Sequence, residues 1–121
     1  MGPLDEGYFI YAEDADWSLR ARAAGCRLLF VPAARLWHEV SASGGGAASP
    51  WKIYQRLRAN ARLFARNARG LARFTWPPAF VVQQAALWTL LVARGNFAAA
   101  AAVPRALLDA VSGRNPAEVT R

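Results

Sequence analysis

Glu13, Asp14 and Asp16 place three carboxylates within four residues at the start of a segment that reads as a helix, and Arg20 follows one turn after Asp16. The chain's single histidine, His38, comes after a short apolar run. A carboxylate held within hydrogen-bond reach can take a proton from an incoming hydroxyl, and Asp14 is the favoured acceptor. Glu13 and Asp16 do not share its direction, because helix neighbours one or two apart do not face each other. Plainer readings stand beside this one. Acids in a first turn are what the helix dipole favours. Asp16 and Arg20 at i,i+4 make an ordinary helix pair of about 0.2–0.5 kcal/mol. A lone histidine is more often packed or hydrogen-bonded than metal-bound. One histidine and several acids suit Mg²⁺ or Mn²⁺ better than structural zinc, which wants more His or Cys ligands.

The elements that must position these groups are legible in outline. Residues 3–11 read as a loop ending in the aromatic stretch Tyr8-Phe9-Ile10-Tyr11. Residues 13–24 read as a helix, with Gly25 in the position just past its end. Leu28-Leu29-Phe30-Val31 has the run of a short buried strand, stopped by Pro32, and residues 35–38 suggest a second extended piece. Residues 41–48 are a Ser/Gly/Ala loop. Ser49-Pro50 then opens a long helix, with a good N-cap followed by proline at the first helical position. Trp76-Pro77-Pro78 is expected to break the chain. Residues 79–93 read as an apolar helix. Gly95-Asn96 ends it and caps another over 97–111, which Pro104 is expected to kink. Residues 113–121 read as a frayed tail.

A length of 121 residues suits one small domain, and an apolar fraction of 55% argues against disorder. A single cysteine, Cys26, excludes an internal disulfide and a Cys-rich zinc site. The opening residues lack the apolar stretch of a signal peptide. The net charge of +7 is unevenly spread. Residues 1–50 hold six acids and four arginines, a balance of −2, whereas residues 51–121 hold eleven bases and two acids, a balance of +9. A basic half points to an anionic partner.

The order and spacing of these features carry a resemblance. The segment from Leu4-Asp5-Glu6-Gly7-Tyr8-Phe9 through Glu13-Asp14-Ala15-Asp16-Trp17 to Arg20 is similar to the "FDE-x-[FY]-F-x-x-x-ED-x-D-[LW]-x-x-R" segment of inverting family 2 glycosyltransferases, the rhamnosyltransferase-like and galactofuranosyltransferase-like branch. Ala24-Gly25-Cys26-Arg27 through Val31-Pro32 resembles the "AG-[YF]-[RK]" to "[VL]-P" segment that follows, and Trp37-His38 resembles the "WH" signature. The similarity spans roughly residues 3–70, with Leu4 standing where the family often has Phe. It implies an α/β fold class: the C-terminal part of a GT-A, Rossmann-like domain followed by a mostly α-helical tail. It divides the chain into a catalytic part (1–48), a basic amphipathic helix (49–74) and an apolar helical tail (75–121).

The resemblance also implies roles. Asp14 is the general base that deprotonates the acceptor hydroxyl, which attacks the anomeric carbon of a nucleotide-sugar donor with inversion. His38 helps hold a divalent cation, Mg²⁺ or Mn²⁺, at the diphosphate. Glu13 and Asp16 shape the substrate site, Arg20 supports the helix through Asp16, and Trp17 and Trp37 line an acceptor pocket or, more simply, pack. The acceptor is a glycan or glycolipid of the cell envelope. The family's nucleotide-binding half, with its Asp-x-Asp metal motif, is missing, so this polypeptide alone is expected to be inactive.

On a helical wheel Lys52, Arg56, Arg58, Arg62, Arg66, Arg69 and Arg73 fall within an arc of about 160°, opposite Ile53, Leu57, Phe64, Ala68 and Leu71. Lys52, Arg56, Arg62, Arg66 and Arg73 are the candidate contacts to a membrane or anion. Packing combined with contact to an anionic membrane is the first reading of this helix. Nucleic acid is the last, because no recognised motif accompanies the charge and aromatics are not interleaved on the basic face. Residues 79–93 would extend roughly 22 Å as a helix, short for a membrane span, so in-plane or hairpin association is favoured. The expected location is cytoplasmic, peripheral at the cytoplasmic membrane face. The alternative function is a non-catalytic cationic helical module that binds anionic membrane or a protein partner.

Overall fold

A computed structural model describes residues 2–37, 46 and 48–113. Among them the regular structure is helical: α1 (Glu13–Ala23), α2 (Pro50–Asn67), α3 (Ala72–Ala93) and α4 (Phe97–Ser112), with no strand. This overturns the expected α/β class. Leu28–Val31, read as a buried strand, has no ladder partner among the described residues, and its side chains are exposed. A strand exists only through pairing, and apolar side chains alone do not supply it.

α2 starts where Ser49-Pro50 predicts, with the Ser49 side chain accepting from Lys52 N at 3.3 Å and Pro50 in the first turn. It stops at Asn67, short of Arg73. Ala68 is extended, and Gly70 takes a left-handed φ of 55° that costs glycine little. That reversal lets α3 fold back so that Trp76 stacks on Phe64 at 5.1 Å, while within α3 Trp76 meets the tilted Phe80 ring at 5.0 Å. The expected break at Pro77-Pro78 does not occur. Both prolines lie inside α3, where their fixed φ suits a helix, although each removes an N–H donor and its ring crowds the carbonyl four residues back. Pro104 likewise lies within α4 without ending it. Gly95-Asn96 ends α3 and caps α4, the Asn96 side chain accepting from Ala99 N at 3.2 Å.

The core joins Ile53, Tyr54 and Leu57 of α2 to Phe80 and Leu91 of α3 and to Ala99, Ala100, Ala102, Val103 and Ala106 of α4. The alanines let α4 lie close along α2, its main neighbour. α1 packs against α2 alone among the helices in any extent. Two groups meet at the core's edge, where the Tyr54 hydroxyl donates to Asp109 Oδ2 at 2.7 Å. Burial and that carboxylate push the Tyr54 phenol up, so it stays a neutral donor.

Candidate functional site

The acidic cluster lies where α1 begins, and its members separate. Asp16 is buried, 1% exposed. It accepts from Arg20 Nε at 2.8 Å, from the Tyr8 hydroxyl at 3.2 Å and from Asn67 Nδ2 at 3.4 Å. Burial pushes its pKa up, but the hydrogen bonds from Arg20, Asn67 and Tyr8 outweigh that and hold it below the ordinary carboxylate range. Asp16 and Arg20 therefore tie the loop, α1 and α2 together. Arg20 also donates to the Pro3 carbonyl at 3.0 Å. Trp17 Nε1 donates to the Gly2 carbonyl at 3.3 Å, so this indole is engaged with the chain's own loop.

Asp14 points outward. It is exposed, and its Oδ1 accepts from Ala15 N at 2.7 Å. Glu13 turns inward, and its Oε2 is buried with no hydrogen-bond partner among the described residues. The backbone entering the cluster is strained. Tyr11 and Ala12 both have left-handed φ, 69° and 65°, an uncommon conformation for residues with a Cβ. Ala12 is the N-cap and offers no side-chain acceptor, and of the first-turn acids Asp14 accepts from an N–H of α1, that of Ala15.

Trp37 is 84% exposed and lies on a stretch apart from this cluster's contacts. His38 lies outside the described residues. Among the described residues no group of three His, Cys, Asp or Glu side chains is placed to hold a metal ion.

The loop before α1 carries residues that spacing did not single out. Asp5 bonds Gly7 N at 2.8 Å through Oδ1, Arg62 through both oxygens at 3.3–3.4 Å, and Arg66. The Gly7 N–H and the Arg66 guanidinium hold the Asp5 carboxyl down at about 2. Arg62 also lies over the Tyr8 ring, 5.2 Å from its centroid. Burial, with Asp16 beside it, pushes the Tyr8 phenol up to about 12. Phe9 meets Trp51 edge-on at 6.2 Å, fixing the loop to the start of α2. Asn67 stands 51 residues from Asp16, so no local pattern could have paired them.

Of the residues expected to meet a membrane or anion, Lys52 is buried at 7% exposure. Arg62 and Arg66 are engaged with Asp5, and Arg56 and Arg73 are exposed. Arg73 belongs to α3, not to the α2 stripe. No helix among the described residues is long and apolar enough to cross a membrane.

Comparison with protein-family models, curated proteins and solved structures finds no match for this chain. Together with the sheetless helical fold, this overturns the assignment to inverting family 2 glycosyltransferases and to their GT-A fold. The likeness over residues 3–70 is one of local motif. A GT-A domain is built around a sheet, and the described residues form none.

Proposed function

We propose that the chain carries the proton-accepting segment of a sugar-transfer reaction, with Asp14 as the base and with donor binding supplied by a second polypeptide part. One observation carries this reading: of the three clustered acids, Asp14 alone is left exposed, on a helix start reached through the strained Tyr11–Ala12 turn. Strained backbone of this kind persists where surrounding contacts over-determine it, and it clusters at functional sites. Here the Asp16–Arg20–Tyr8–Asn67 contacts do so.

In the proposed step Asp14 takes the proton of an acceptor hydroxyl. The freed oxygen attacks the anomeric carbon of a nucleotide sugar from the face opposite the leaving group. The bond to the nucleoside diphosphate breaks, and the diphosphate leaves with the electron pair. The acceptor class is a glycan or glycolipid hydroxyl, and the setting is the cytoplasmic face of the membrane.

The test is Asp14→Asn in the source cell, carrying the chain with its natural partners. Chain level and helicity are expected to be unchanged, while sugar transfer falls by about 10²–10⁴-fold, the usual contribution of general-base catalysis. The isolated wild-type chain is expected to transfer nothing. Unaltered transfer in Asp14→Asn cells sinks the reading.

A second reading is favoured by the exposed Arg56 and Arg73 and by the arginine stripe of α2: a non-catalytic cationic module that meets an anionic membrane or a protein partner. On that reading Asp14→Asn changes nothing, and removing the arginines abolishes association.

A further inference from the structure

A cavity of about 720 Å³ opens between the residue 7–10 loop, the middle of α2, the start of α3 and the end of α4. It arises because α4 packs along α2 while α3 reaches α2 mainly through the Trp76–Phe64 stack, leaving the space between them unfilled. Its size falls within the usual range for small-molecule sites. One part of its wall is apolar: Trp76, Phe80, Val81, Leu107 and Val111. The other part presents Arg58, Arg62 and Arg66, one turn apart along a single face of α2.

The charges around this wall are unequal. Three arginines line it with one carboxylate, Asp109, which accepts from Tyr54, and Asp5 sits on Arg62 and Arg66. Arg58 lies against the Tyr54 ring and hydroxyl. The Asp5 carboxylate is thus an internal anion on an arginine pair whose residues line the apolar cavity. It shows the geometry that an external oxyanion would meet, since paired guanidiniums bind carboxylate and phosphate alike.

We propose that this cavity binds a single amphipathic anion, an alkyl chain bearing a phosphate or carboxylate. The chain lies against Trp76, Phe80, Leu107 and Val111, and the headgroup displaces Asp5 from Arg62 and Arg66. The proposal rests on the cationic reading of α2 and is independent of chemistry at Asp14.

The test is titration calorimetry of the full chain with dodecyl phosphate below its micelle concentration. Parallel arms use inorganic phosphate, dodecyl maltoside, and vesicles of phosphatidylglycerol or phosphatidylcholine. Saturable binding of dodecyl phosphate at one site per chain is expected, with no binding of inorganic phosphate. The neutral maltoside should bind at least about tenfold more weakly, as should dodecyl phosphate to the Arg62→Gln/Arg66→Gln double variant. Asp5→Asn removes the internal competitor and should tighten binding. Val111→Glu, at an exposed position on the rim, should weaken binding while helicity is retained. Absence of saturable dodecyl phosphate binding overturns the proposal, as does equal binding by the double arginine variant or no tightening in Asp5→Asn. Binding to phosphatidylglycerol vesicles without binding of the monomer overturns the cavity and leaves the cationic-surface reading standing. Binding to neither overturns both.

Discussion

At the scale of residues, the three neighbouring acids have different work. Asp16 is consumed by structure, Glu13 faces inward, and Asp14 is available to solvent. Sequence spacing could pair Asp16 with Arg20 but not with Tyr8 or Asn67, which the folded chain brings from either side. Asp5 gives the clearest pH prediction. Its carboxyl titrates near 2 in the folded chain, against about 3.9 for an unperturbed aspartate. Between those values the unfolded state holds more protons, so stability rises with pH. The Asp5 contribution is therefore complete above about pH 4 and lost as pH falls through 2. Denaturant midpoints measured across that window should drop for the wild type, with a shallower drop for Asp5→Asn. Parallel curves for the two would show that the Asp5 contacts add nothing to stability.

At the scale of elements, helix ends were more legible than helix extents. Ser49-Pro50, Gly25 and Gly95-Asn96 mark boundaries through chemistry that acts within a few residues, and the helices obey them. The end of α2 at Asn67 goes with a contact between two helices, the stacking of Trp76 of α3 on Phe64 of α2, that no local signal announces. α4 depends on small residues. Ala99 and Ala106 have no exposed surface where α4 runs along α2. Ala106→Leu should force the helices apart and cost about 1–3 kcal/mol, read as a lower denaturation midpoint. An equal or higher midpoint would mean that the α2–α4 contact is looser than its burial indicates.

At the scale of the whole molecule, the helical core leaves apolar side chains uncovered, those of residues 30–37 among the most exposed. Phe30 is 90% exposed, Leu36 88% and Trp37 84%, on either side of a turn in which Ala34 N donates to the Val31 carbonyl. Side chains so exposed contribute almost nothing to the fold of the chain alone. Phe30→Ser/Trp37→Ser should leave the thermal midpoint unchanged and raise the concentration at which the chain stays monomeric in sedimentation. A clear loss of thermal stability would instead place these side chains in the core.

The sequence by itself determined the charge asymmetry, the caps, the helical character of residues 13–23 and 50–67, and the Asp16–Arg20 pair. All of these rest on interactions within a few residues. Tertiary structure alone decided three other matters. Residues 28–31 form no strand, because pairing needs a neighbour and the described chain supplies none. Of the acids it is Asp14 that stays exposed, because Tyr8 and Asn67 close over Asp16. The arginines of α2 face a loop carboxylate and an apolar cavity, because α4 takes the other side of that helix and α3 only partly covers the gap. Each depends on residues far apart in the chain, and helical or strand periodicity carries no record of them.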